Sequence, residues 1–430
     1  MPVDVHLDAR QMAWYQAALC SATGDSPVST SYMSADLLKK DRTVAQRIHN
    51  VPNGVWSGQI DLDVSQMVSS DGTATGSIWS AELTTIDPPG VLHLDSKALF
   101  LDRLLQITHH QYVPELLGAD GHRDGYVDCV VFRGPCSAPT VAGDMVTLEA
   151  QGMDIWAKGA VDAPTVFRKG ARFSDIIHDI WVNRIGEAER WLRIPTLPNR
   201  LPDNYRVGGQ EQWWAAIQYL ASCINCDAFY GRDAVGHLQQ RHTHPVIGLN
   251  DGRNGAIVGI PQRSTVLGEE AGSTVESIRN RFFVIGQARP VRPPKDPPDG
   301  WKAPKLPVIR GKWDVPRGNK FSAYSLGHPD HPLRLEDTVT LEHVHTDKLA
   351  RDIAEVRGRR RLRLSESITD ETVVIPHLDA FDTYYRNAEG HKSKEDFLRS
   401  SMPLAWTPDN PQTISYTRRL STAQLVRHRP

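Results

Sequence analysis

The segment VVIPHLDAFDTYYR, Val373 to Arg386, gathers His377, Asp379, Asp382, Tyr384, Tyr385 and Arg386 within one short stretch. These are the side chains of general acid–base chemistry. A second group, Cys223-x-x-Cys226 followed by His237, His242 and His244, has the donors of a Cys2His2 zinc site. A structural zinc site also needs its ligand pairs at suitable spacing. Cys223 falls on the apolar end of a predicted helix, so core packing competes with ligation. A thioredoxin-type reading lacks its βαβ context. Three histidine pairs stand out: His109-His110, His242-x-His244 and His343-x-His345. Spacing of two on a strand puts both rings on one face, but the sequence identifies no third ligand. An exposed strand face is the competing reading.

Paired carboxylates occur at Asp61/Asp63 and Glu366/Asp370. Glycoside hydrolysis needs two carboxylates at a set separation. Among 51 acidic residues such pairs arise by chance, so they read as solvated charges. The basic block RGRRRLR, Arg357 to Arg363, admits three readings. It could touch nucleic acid, complement the negative pole at a helix end, or pair with carboxylates across a protein interface. Trp181, Trp213 and Trp214 occupy helical core positions. Trp14, Trp56 and Trp79 lie in predicted strand regions, where aromatic rings pack in cores and interfaces or bind sugars. The nucleophile-elbow, zinc-protease, phosphate-loop and dinucleotide-loop signatures are all missing from the sequence. No catalytic, cofactor-binding or metal-binding residue is assigned on this basis.

The elements that would position these groups follow from patterning. The 430 residues exceed one ordinary core and predict two to four domains. With 32 Gly and 29 Pro, turns are frequent and a β-rich architecture is expected. A formal net charge of -2 gives no overall basic field for nucleic acid. Five cysteines in so long a chain do not suggest a secreted disulfide framework. Neither a secretory signal nor an apolar run of membrane-spanning length is read, and no internal repeat is visible.

Residues 1–163 read as mostly strands. They include a hairpin around Asp71-Gly72 and a strand pair separated by GPCSAPTVAGD. Residues 164–245 read as a small α/β domain. Its first helix is capped at Ser174, carries Ile176, Ile177, Ile180, Trp181 and Ile185 at helical spacing, and stops at Gly186. Its second helix carries Trp213, Trp214, Ile217, Leu220 and Ala221. A hairpin turning at Asp233 to Gly236 follows. Residues 246–430 return to strands. They contain a Pro-rich loop at 287–307 and a helix near 346–361, capped at Thr346 or Asp347, with Leu349, Ile353 and Val356 as its apolar stripe. The fold class is therefore α+β and β-rich.

Several segments, in order, resemble one family. VVFRGPCSAPTVAGDMVTLEAQGMDIWAKG, FRKGARFSDIIHDIWVNRIG, WWAAIQYLASCINCDAFYGRDAVGHLQQR, ESIRNRFFVIGQ and HTDKLARDIAEVRGRRR are similar to successive motifs of the phage tail-tip hub proteins, also called tail-associated or baseplate hub proteins. The resemblance implies two β-barrel-like domains with the small α/β domain inserted between them. It implies a homotrimeric ring that adapts a sixfold tail to a threefold tip and surrounds or closes the DNA channel. Partners would be the distal tail protein ring, the tape measure protein and other tail-tip or fibre proteins, with DNA in transient passage. The location would be the virion tail tip, after assembly in the host cytoplasm. It implies no cofactor, no membrane-spanning segment and no enzymatic domain. VVIPHLDAFDTYYR would then shape a β-corner: Pro376 ends a strand, Leu378 covers a barrel end, Asp382 accepts main-chain N–H bonds in the turn, and Tyr384 and Tyr385 begin the next strand. A cell-wall hydrolase and a carbohydrate-binding tail protein are the alternatives.

Overall fold

The computed structural model describes residues 31–49, 56–64, 78–86, 103–118, 124–240, 246–248, 266–273, 278–288, 307–405 and 410–418, with positions 10, 11, 14, 15 and 18 in addition. Within those ranges 144, 160, 162, 210, 329, 364–365, 373, 377, 381–382 and 389–390 are not described. The Asp71-Gly72 turn, most of the Pro-rich loop 287–307, His242, His244, His377 and Asp382 lie outside the described residues.

The N-terminal strands are β1 (Ser31–Leu38), β2 (Val44–His49), β3 (Trp56–Asp63), β4 (Trp79–Ile86), β5 (Leu104–Tyr112), β6 (Tyr126–Ala142) and β7 (Met145–Gln151). Alternation puts one side of these strands inward. Ile60, Leu62, Ala81, Leu83, Val146 and Leu148 are all buried. The expected break at GPCSAPTVAGD is not there. β6 runs through Gly134, Pro135 and Pro139 to Ala142, pairs β5 along its first half, and pairs β7 along its second. A register shift between Cys136 and Ala138 accommodates the change of partner.

The small unit follows, with β8 (Thr165–Phe167), helix α1 (Phe173–Asp179), β9 (Leu192–Arg193), β10 (Tyr205–Val207), helix α2 (Trp213–Cys223), β11 (Cys226–Tyr230) and β12 (Gly236–Gln240). α1 continues into a wider turn over Ile180–Ile185 that stops at Gly186, whose φ is 86°. Ser174 is not the cap. Arg172 precedes the helix in extended conformation, and the Ser174 hydroxyl instead accepts the Leu197 N–H at 3.2 Å. Trp181 is fully buried, with its ring against Trp214 and Tyr230. Burying an aromatic residue of this size contributes roughly 2–3 kcal/mol.

The last third contains β13 (Val246–Gly248), β14 (Val266–Ser273), β15 (Arg281–Gln287), β16 (Val308–Asp314), β17 (Glu336–Thr340), helix α3 (Asp347–Arg363), β18 (Glu366–Thr372), β19 (Thr383–Ala388), β20 (His391–Pro403) and β21 (Gln412–Arg418). The Thr346 hydroxyl accepts the Leu349 N–H at 3.3 Å and so caps α3. Ala350, Ile353, Ala354 and Val356 bury its inner face, which packs on β15 and β16.

Among the described residues, N- and C-terminal strands merge into one 13-stranded sheet, in the order β14-β18-β21-β20-β3-β4-β7-β6-β5-β1-β2, with β19 on β20 and β13 on β19. β20 meets β3 antiparallel from Arg399↔Asp63 to Pro403↔Gln59. The molecule is strand-rich with large antiparallel sheets, and among the described residues no sheet closes into a barrel. The interior has two main clusters. One joins N-terminal strands to Val374, Ile375, Leu378, Met402 and Ile414. The other joins the small unit to β15 and α3. No helix among the described residues is long and apolar enough to cross a membrane.

A buried polar junction as the candidate functional site

The β11–β12 hairpin is the element around which the polar groups gather. Its tip, Tyr230 to Val235, reaches into the N-terminal strands, and its carbonyls are met by side-chain donors there. Trp79 Nε1 donates to Tyr230 O at 3.2 Å, Arg133 Nη1 to Asp233 O at 2.7 Å, and Arg42 Nη2 to Ala234 O at 3.0 Å. Arg42 also pairs with Glu187 at 2.8 Å, almost wholly out of solvent. Burial pushes the Glu187 carboxyl up and the Arg42 guanidinium down in pKa, each opposed by its partner. In the other direction Arg232 Nε donates to Val130 O at 2.7 Å. A tip whose main-chain groups are satisfied by side chains of other strands is fixed in place, because leaving those groups unpaired inside is expensive.

The segment Val374–Ala380 packs on the same tip. Val374, Ile375, Leu378 and Ala380 are buried. Cys129 Sγ donates to Pro376 O at 3.4 Å. Asp379 is buried, and its Oδ1 accepts from Arg232 N at 3.2 Å and Ala380 N at 2.7 Å. Asp379 Oδ2, Asp233 Oδ1 and His237 Nε2 converge on Gly231: a Cβ there would stand 2.8, 3.0 and 3.3 Å from them. Burial raises the Asp379 pKa to about 7. Arg232 opposes the rise and Asp233 adds to it. Burial lowers the His237 pKa to about 4. His237 stacks on Phe229 at 5.1 Å between ring centroids. Asp379, Asp233 and His237 thus meet around the hairpin tip, where both aspartates accept from main-chain N–H groups, Asp233 from Val235 at 3.0 Å.

The remaining candidates fall elsewhere. Tyr384, Tyr385 and Arg386 lie on β19, with Tyr384 in register with Glu395. Cys223 ends α2, while Cys226 starts β11 opposite Gln240. His237 pairs with Phe229, three residues further along the hairpin and about 10 Å away. Cys223 instead lines an open cleft of about 380 Å³ with His343, His345, Arg200, Lys348 and Asp352. His343 Nδ1 is bonded to the Tyr219 hydroxyl at 2.7 Å, and burial lowers its pKa. Among the described residues no three His, Cys, Asp or Glu side chains are placed to hold a metal ion.

His109 is buried, which lowers its pKa to about 3. His110 bonds Asp128 at 2.6 Å and Ser34 at 2.7 Å, and stacks on Tyr32. Asp63 pairs with Arg399 at 3.1 Å. Glu366 and Asp370 sit four residues apart on β18, about 13 Å. Trp14 has helical backbone and not the expected strand. Trp79 is buried, its N–H spent on the hairpin.

The basic block is partly internal. Arg357 pairs with Asp337 at 3.0 Å. Arg360 grips Asp227 of β11 with both guanidinium ends, at 2.9 and 2.6 Å. Of the three readings, ion pairing across packed surfaces is seen for these two residues, but within the chain. Nothing in the local sequence around Asp227, Arg42, Glu187 and Arg133 marks them as members of this junction. Arg42 has one local peculiarity, a φ of 67° in the β1–β2 turn.

Comparison with known proteins bears on the fold. No family model and no curated protein sequence matches the chain. Solved structures do. The 43 kDa tail protein of prophage MuSo2 from Shewanella oneidensis is similar with a TM-score of 0.52 at 10% identity, over 90% of this chain and 98% of that one. The tail protein from Neisseria meningitidis MC58 gives 0.51 at 10% identity, over 92% and 98%. The chain has the fold of these phage tail proteins along nearly its whole length.

Proposed function

We propose that the chain is a structural subunit of a phage tail tip. Three copies would form the hub ring, join the sixfold tail to the threefold tip, and surround or close the channel through which DNA leaves. One observation carries this reading: a tail-protein fold whose sheet states the same order twice. β3, β4, β5, β6 and β7 pair in the order β3-β4-β7-β6-β5, and β14, β18, β19, β20 and β21 pair as β14-β18-β21-β20-β19, with every neighbour antiparallel.

Two equivalent lobes per chain give a threefold ring six similar positions, and cyclic closure favours such heterologous contacts. In this reading 1–163 and 246–430 supply the two barrel-like lobes and 164–245 the insert. The neighbours are the distal tail ring, the tape measure protein and other tail-tip or fibre proteins. The role is structural, without turnover. Light scattering and imaging of the isolated protein test it. A threefold ring supports the proposal, and a protein that stays monomeric at every concentration overturns it.

A further inference from the structure

A second polar chain, apart from the hairpin junction, crosses β6, β5 and β1 on the face opposite the buried Met33, Ala35 and Leu37. Tyr32, His110 and Asp128 stand in one row there, since Tyr32 is opposite His110 and His110 is opposite Asp128. Ser34 lies two residues along β1 and therefore on the same face. Asp128 Oδ1 is 2.6 Å from His110 Nδ1, and His110 Nε2 is 2.7 Å from Ser34 Oγ. Tyr32 lies flat on the imidazole, with 4.4 Å between ring centroids at 17°, and Tyr126 sets its edge against Tyr32 at 5.5 Å. The His110 ring is thus held by a stack on one face and a bond at each nitrogen. The Asp128 oxygen accepts from Nδ1–H. In that tautomer the imidazole offers its Nε2 lone pair to Ser34, whose O–H donates. Hydroxyl, imidazole and carboxyl in this order are the parts of a nucleophile activated by a positioned base. Such a relay is recognised by geometry and not by sequence position, and here each member comes from a different strand.

We infer that Ser34 is a nucleophile that takes the acyl group of a short-chain carboxylic ester, with His110 as its base and Asp128 as the residue that positions His110. Ser34 Oγ attacks the ester carbonyl carbon, a new C–O bond forms, and the hydroxyl proton passes to His110 Nε2. The bond from that carbon to the leaving oxygen then breaks. His110 returns the proton to the leaving oxygen, so an alcohol departs and an acyl-serine remains. Exposure sets the size of the donor. The Asp128 side chain is 65% exposed and that of His110 13%, but Ser34 keeps only 7%. An acetyl-sized group therefore suits this position better than a long chain. One transfer per chain requires only this relay, whereas turnover also needs preorganised donors for the oxyanion. Acylation of Ser34 thus goes beyond the structural role without replacing it.

The test uses the full chain and p-nitrophenyl acetate. Wild-type protein should acquire an acetyl group at Ser34, located by peptide mass spectrometry, and Ser34→Ala should lose it. His110→Phe keeps an aromatic ring beside Tyr32 but removes the base, and should slow acetylation of Ser34 at least about a hundredfold. Asp128→Asn, at an exposed position, should slow it as well, because a carboxamide N–H facing Nδ1 favours the tautomer with its proton on Nε2. Asp128→Glu should recover most of the rate. Far-ultraviolet circular dichroism checks that each variant remains folded. Hydrogen bonds that only stitch the three strands together would change stability in these variants and not the acetylation of Ser34. Folded wild-type protein without acetyl at Ser34, or equal labelling of Ser34 in wild type and His110→Phe, overturns the assignment. Neither result touches the trimeric reading, which light scattering decides separately.

Discussion

Asp227 and Asp379 are both buried carboxyl groups at the small unit's border, at opposite ends of one hairpin strand, and they are held in different ways. Asp227 faces Arg360 from α3, and the two exchange a bidentate charged pair. Asp379 receives main-chain N–H groups from Arg232 and its own neighbour, with a second carboxylate, Asp233, close by. The first joint matches charge with charge. The second hides a carboxyl where its charge is poorly compensated, so the proton becomes the cheaper partner. One protein thus contains a joint that depends on ionisation and another that is strained by it.

The comparison is broken most forcefully at the first joint. Arg360→Ala leaves the Asp227 carboxyl buried without its fork, and should lower stability by about 3–5 kcal/mol in denaturant unfolding. Arg360→Met with Asp227→Leu removes both charges and should recover most of the loss. Recovery that fails would mean that the pair is needed for more than mutual neutralisation.

At the second joint a single methyl is the sharper tool. Gly231→Ala sets a Cβ within 3.0 Å of both Asp379 and Asp233, and overpacking of this kind costs about 1–3 kcal/mol. Hydrogen exchange should loosen at 230–236 and 374–380 together. A change confined to the hairpin would show that the two segments are not one joint.

The smallest effect should be the most diagnostic. The folded Asp379 pKa lies above its unfolded value, so its protonated form stabilises the fold. That contribution is full below about pH 4 and is lost as pH rises towards 7. His237 acts oppositely: its folded pKa is depressed, so its contribution is present above about 6.5 and lost as pH falls towards 4. Asp379→Asn should therefore flatten the decline in stability between pH 5 and 8, and exceed the wild type at pH 8 by about 1–2 kcal/mol. Unfolding midpoints across that range check it. A parallel, merely offset curve would show that Asp379 does not titrate there.

The elements were legible where a short window holds the information. α2 with its tryptophans, the β11–β12 hairpin, the Thr346 cap and the Gly186 stop all depend on periodicity or on one residue's conformational preference. The resemblance of ordered segments to tail-tip proteins was legible for the same reason, and the fold agrees with it. Ser174 misled because a serine before an apolar run looks like a cap wherever its hydroxyl ends up. β6 was broken too early because Gly and Pro usually interrupt strands, yet a strand changing partners can hold both.

Side-chain spacing along VVIPHLDAFDTYYR offered acids and bases, but nothing in it could say that Asp379 meets Arg232 and Asp233 across a junction. The fivefold strand order repeated in two lobes left no repeat in the residues either. Pairing order is a matter of which backbones lie side by side, and main-chain hydrogen bonds are the same for every sequence that leaves them room. Local preference chose the strands and helices, whereas contacts between residues hundreds of positions apart chose the sheet and the buried charges.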